Sequence, residues 1–153
     1  MDASDLVGRY RLLSCHRADG TQTYGERPEG HLHYADDGRM SIMIMRRDRR
    51  PVGLDYDQLM RARSALRRPW TLLYRFGALR ALRRFVEAAA GFAGYEATYR
   101  VEGETVIHGV GVGVGLVPDR TGTEFTRTLV VDGDRATINT PEGDALVWER
   151  ISG

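Results

Sequence analysis

The sequence predicts a mainly β chain: an eight-stranded antiparallel barrel with a helical insert between strands three and four. Three observations lead to it. Two stretches, one before Arg46 and one after Tyr95, alternate apolar and polar residues with the period of two that marks a half-buried strand. Between them the pattern gives way to helix formers. Acidic-glycine turns at Asp36-Asp37-Gly38 and Asp132-Gly133-Asp134 are hairpin signals. Three strands precede the insert and five follow it, and eight is the number at which a barrel closes around one small ligand. With 153 residues, the chain reads as a single domain, 1–153, with its insert or lid at about 55–90.

Strand one runs from Leu6 to Arg17, with Tyr10, Leu12, Ser14 and His16 on one face and Arg9, Arg11, Leu13 and Cys15 on the other. The face without arginine is expected to point inward. Strand two spans His31 to Ala35 and strand three Met40 to Met45, the latter apolar on both sides, which requires a cover on its outer face. Tyr56 to Arg67 and Trp70 to Ala90 read as helices, Pro69 opening the second and Gly91 and Gly94 ending it. Its wide apolar arc, Leu82, Phe85 and Val86 included, is expected to be mostly buried, with Arg80, Arg83 and Arg84 gathered on one side. Strand four starts at Tyr95 and turns at Glu102-Gly103-Glu104. Strand five, Thr105 to Val117, alternates Val106, His108, Val110, Val112 and Val114 with a glycine row at 109, 111, 113 and 115, where a helix or a flat ligand can approach the backbone closely. Glu124 to Val131, Arg135 to Thr140 and Ala145 to Ile151 complete the eight.

Composition excludes several classes. All 22 basic residues are arginine, so no lysine nucleophile or Schiff base is available. The single Cys15 rules out an internal disulfide and a cysteine-rich metal site. His31 and His33 face one side without a third ligand at recognisable spacing, so no metal is expected. The longest uncharged run, Thr105 to Pro118, is too short to span a membrane as a helix. The opening Met1-Asp2-Ala3-Ser4-Asp5 has no basic and apolar leader, so a cytoplasmic protein is expected. Charge is uneven: between Arg46 and Arg84 stand twelve arginines against three aspartates, a local +9 that leaves −8 for the remainder of the net +1. The plain reading is a solvated helical face. The sharper one is a dock for an acidic carrier protein, ranked ahead of a membrane surface and of nucleic acid, for which the near-zero net charge predicts no pull.

Parity along the strands nominates the interior. His108 lies on the valine face of strand five, either as a general base in an apolar cavity or as a core histidine bonded to backbone. Tyr95 and Tyr99 share a face from which their phenols either pack or donate to charge developing on a carbonyl oxygen. Arg127 is the one charged residue on the Phe125, Leu129 and Val131 face. It either stacks on Tyr10 or Trp148 at the closed end or holds a carboxylate or enolate. These four are the candidate catalytic residues. Tyr10, Leu12, Ser14, His16, Val110, Val112, Phe125 and Trp148 are the candidate ligand-binding residues.

The segments LVGRYRLLS (6–14), YGERPEGHLHYADDGRMS (24–41), TYRVEGETVIH (98–108), LVVDGDRATINTP (129–141) and LVWERI (146–151) resemble the bacterial lipocalin-like domain family, within the calycin type of barrels. Gly8 and Tyr10 stand where the family opens with Gly-x-Trp. The resemblance implies a ligand-holding barrel, similar to small cofactor-free enzymes of natural-product pathways that fold a reactive chain and cyclise or isomerise it. The expected function is binding of a hydrophobic small molecule with cyclase or isomerase chemistry of the polyketide-like kind. The alternative is a carrier that leaves its ligand unchanged.

Overall fold

The computed structural model describes residues 2–58, 76–110, 116 and 118–152. Contacts divide the chain into two compact units, Met1–Arg47 with Phe92–Gly153, and Asp48–Gly91. The first unit is a closed barrel of eight antiparallel strands in sequence order: β1 (Gly8–His16), β2 (Pro28–Tyr34), β3 (Arg39–Arg46), β4 (Phe92–Glu102), β5 (Thr105–Gly109), β6 (Glu124–Asp132), β7 (Arg135–Asn139) and β8 (Ala145–Ser152). β8 returns to pair with β1, so no edge is left open. Gly103 and Gly133 take the first central position of two-residue turns at φ +65° and +57°. No other residue type holds that conformation cheaply, which is why the hairpin signals are legible in the chain.

These short turns, together with the β2–β3 turn, lie at one end of the barrel. The connections 17–27, 47–91, 110–123 and 140–144 leave from the other. The short-turn end is plugged. A 3-10 turn, Ala3–Asp5, leads into Leu6, and the Tyr10 hydroxyl donates to the Leu6 carbonyl at 2.8 Å. The Arg150 guanidinium lies 5.1 Å from the Tyr10 ring centroid and donates to the Tyr10 hydroxyl at 2.7 Å, to the Val7 carbonyl at 3.1 Å and to the Asp5 carbonyl. Replacing Arg150 by Ala is therefore expected to cost about 2–4 kcal/mol, because three charge-assisted hydrogen bonds and a stacked ring are lost together. Arg150→Lys should recover only a small part, since an ammonium cannot reproduce the planar fork. Urea unfolding measures both; a loss under about 0.5 kcal/mol for the Ala variant would show that the plug is ornamental.

The interior holds Tyr10, Leu12, Leu32, Tyr34, Met40, Ile42, Ile44, Ala97, Tyr99, Val106, Val110, Leu129, Ala136, Ile138 and Trp148 as one apolar cluster. Strand parity changes along β1. Pairing of β1 with β8 slips between Leu12 and Ser14, so that Leu12 faces Trp148 while Ser14 faces Val147 and Cys15 faces Leu146. Opposed residues share a face. The bulge thus turns Cys15 inward, 5% exposed, and puts Ser14 and His16 on the opposite face from Leu12. The inward face expected for Ser14 and His16 does not hold. Burial pushes the Cys15 thiol up to about 11, which leaves it inert at neutral pH. Gly94 does not end the helix as expected. It lies within β4, which begins at Phe92 rather than at Tyr95, and the Phe92 ring is folded against it.

The unit Asp48–Gly91 opens its first helix as the sequence indicates. The Asp55 carboxylate accepts from the Gln58 N–H at 2.7 Å, and the Gln58 side chain accepts from the Asp55 N–H at 3.1 Å, a reciprocal cap. The remainder of that helix, and Pro69 and Trp70, lie outside the described residues. The second helix is described as α1, Phe76–Ala90, and ends as the Gly91 N–H bonds the Glu87 carbonyl at 3.1 Å. Arg83 pairs with Glu87 at 2.9 Å, one turn on. Ala81 is buried, but Phe85 and Val86, expected within the buried arc, are exposed.

Candidate functional site

β5 carries the centre of the site. Its pairing sets His108 opposite Tyr99 on β4 and Phe125 on β6, between the inward Val106 and Val110. His108 is 1% exposed. Its Nε2 lies 2.8 Å from the Tyr34 hydroxyl and its Nδ1 3.0 Å from the Tyr95 hydroxyl. One imidazole thus joins two phenols, one on β2 and one on β4. Among the described residues the histidine is bonded to side chains and not to backbone.

Electrostatics keep this group neutral. Burial, helped by the nearby positive charge of Arg127, lowers the His108 pKa to about 3. Burial also raises the phenol pKa of Tyr34 well above its ordinary value and raises that of Tyr95, so both stay protonated. At neutral pH three neutral groups share three protons along one chain of hydrogen bonds. Such a chain can polarise a carbonyl or pass a proton without carrying net charge.

Aromatic and cationic groups flank it. The Tyr95 ring meets Phe125 edge-on at 5.6 Å. Two guanidiniums lie over Phe125, Arg127 at 5.1 Å and Arg120 at 5.5 Å. Arg127 also donates to the Thr126 carbonyl at 3.0 Å. The expected stack of Arg127 on Tyr10 or Trp148 is not formed: the register sets Arg127 opposite Val106, and Arg150, opposite Tyr10, occupies that place. Tyr99 is not brought to His108 through its hydroxyl. It donates instead to the Ala35 carbonyl at 2.8 Å, while its ring packs edge-on against Tyr34 at 4.7 Å.

Of the remaining candidates, Tyr10, Leu12, Val110 and Trp148 lie in the buried cluster, with Phe125 packed against it. Val112, and with it Gly111, Gly113 and Gly115, lies outside the described residues. At Gly109 the close neighbour is the cross-strand Thr98 Oγ1, 3.0 Å from where a Cβ would sit. Trp148 is fully buried and its Nε1 has no hydrogen-bond partner among the described residues. Among those residues no three His, Cys, Asp or Glu gather in a way that could hold a metal. No described helix is long and apolar enough to cross a membrane. Sequence reasoning missed Tyr34 and Arg120. The signal for Tyr34 was present, since Leu32 and Tyr34 alternate with the polar His31 and His33. For Arg120, in the β5–β6 connection, no periodic signal exists.

The family model of the lipocalin-like domain matches residues 7–151. The chain belongs to the lipocalin-like domain family. A lipocalin-like protein from Bacteroides uniformis superposes with a TM-score of 0.50 at 11% identity, over 96% of this chain and 99% of that one. An uncharacterized protein from Bacteroides eggerthii gives 0.46 at 9% identity, over 95% and 99%. No curated protein matches. At such identities the likeness of this lipocalin-like chain to the first structure is one of fold.

Proposed function

We propose that this lipocalin-like barrel binds a hydrophobic small molecule and promotes its cofactor-independent cyclisation or isomerisation, as in polyketide-like natural-product biosynthesis. The observation that carries the reading is the Tyr34–His108–Tyr95 chain, a neutral proton-holding array inside an otherwise apolar barrel. Burying this network costs desolvation that apolar packing of the same volume would avoid, which supports a role for it beyond stability. Tyr95 polarises a carbonyl oxygen of the bound molecule, and Arg127 stabilises negative charge that grows on it. Confinement of a flexible chain in a reactive shape supplies the rest of the acceleration.

Native mass spectrometry of the protein purified gently from its own cells, with a denatured sample run in parallel, is the first test. A discrete organic mass released on denaturation is the expected result. That molecule, or its precursor, is then incubated with fresh protein. Turnover should fall roughly 100-fold or more in Tyr95→Phe and in His108→Gln, with the fold retained by circular dichroism. Recovery of a chemically unchanged molecule after prolonged incubation would establish the carrier reading instead.

A further inference from the structure

We infer that the Tyr34–His108–Tyr95 chain is polarised in one direction, making Tyr95 a hydrogen-bond donor toward the loop end of the barrel. A neutral imidazole has one N–H and one bare nitrogen, so one of its two phenol partners donates to it and the other accepts from it. The accepting phenol keeps its own O–H for a further partner. Tyr34 is 1% exposed, and His108 is the one hydrogen-bond partner of its hydroxyl among the described residues. It is ringed by Tyr10 at 6.3 Å, Tyr99 at 4.7 Å and His108. Were Tyr34 the acceptor, its hydroxyl proton would be stranded among aromatic rings, and an orphaned buried donor is costly. Tyr34 therefore donates to Nε2, the imidazole proton resides on Nδ1, and Nδ1–H donates to the Tyr95 oxygen.

Position along the barrel agrees. Tyr34 ends β2 beside the short turns, opposite Gly8 and Met40. Tyr95 lies four residues before Tyr99, toward the end of β4 from which the long connections leave. The chain thus runs from the plugged floor toward the loops, and its free proton emerges at Tyr95, beside Phe125 with its two guanidiniums. The Tyr95 phenol and the Arg120 and Arg127 guanidiniums beside Phe125 are all donors. Resting on the ligand reading above, the site selects a molecule whose polar atom is an acceptor without a proton, a ketone, ester or enolate oxygen on an apolar body. An amine or ammonium is rejected. Tyr34 and His108 act through Tyr95 and are positioning residues.

The tautomer decides the matter without any ligand. Long-range proton–nitrogen NMR of the histidine-labelled full chain at pH 7, with His108 assigned by its loss in His108→Gln, should show Nδ1 protonated and Nε2 bare. Tyr34→Phe should move the Nε2 resonance toward that of a nitrogen without a donor. A proton on Nε2 in the wild-type protein overturns the proposal. The donor role of Tyr95 is read with a matched pair of probes, 2-acetylnaphthalene and its isosteric alkene 2-isopropenylnaphthalene. The ketone should bind about tenfold more tightly, the worth of one buried hydrogen bond, and Tyr95→Phe should erase the difference. Equal binding to the wild-type protein overturns the selectivity. Failure of both probes to bind counts against the ligand-binding reading, while the tautomer still decides the direction of the chain.

Discussion

Between pH 7 and pH 4 the protein is expected to lose about 3 kcal/mol of stability on account of His108 alone. The folded state holds this imidazole neutral, with a pKa of about 3, whereas in the unfolded chain it has its ordinary value of about 6.5. Between those two values the unfolded chain binds one proton more than the folded one. Its contribution is whole above pH 6.5 and drains away as the pH falls toward 3, at about 1.4 kcal/mol for each pH unit. Desolvation is the main cause: a charged ring at 1% exposure among tyrosines has lost its water. Urea unfolding across that range, compared between the wild type and His108→Gln, isolates the term. Glutamine keeps a donor and an acceptor but cannot protonate, so its profile should be flatter by that amount. Parallel profiles would mean that the interior admits water around the ring.

The largest loss from a single truncation is expected at Trp148. It is fully buried, pairs across to Leu12 on β1 and Ala136 on β7, and joins both strands to the central cluster. Trp148→Ala should cost about 3–5 kcal/mol, the transfer energy of the indole plus the cavity it leaves. Trp148→Phe should cost less than about 1.5 kcal/mol. The smaller ring leaves a gap, but it also removes a buried N–H that has no partner among the described residues, and such a group is a penalty in the folded state. Urea midpoints for the pair test both statements. An Ala variant within 1 kcal/mol of wild type would show that the barrel collapses onto the gap without strain.

The contrast between those two residues illustrates what periodicity can reveal. Strand alternation placed Trp148, Tyr10, Leu12, Val106, His108 and Val110 on inner faces, and the structure has each of them buried. A strand has only two faces, and apolar surface is driven to one of them. The closed order of eight strands followed from the same logic, since the turn signals at Gly103 and Gly133 bear on the two residues they bend. The inward histidine was visible for this reason, and the fold with it.

What the sequence by itself determined is thus the number of strands, their faces and the inward histidine, all properties with a range of a few residues. Tertiary structure alone decided the partners. Tyr34 and His108 are 74 residues apart in the chain and meet because β2 and β5 face each other across a closed barrel. The same closure gave the Tyr10 plug to Arg150 and not to Arg127, through the register of β1 against β8. One slipped residue between Leu12 and Ser14 reversed the faces of Ser14, Cys15 and His16. No local pattern announces such a bulge. It costs one unpaired residue and is set by how two strands distant in sequence must meet for the barrel to close.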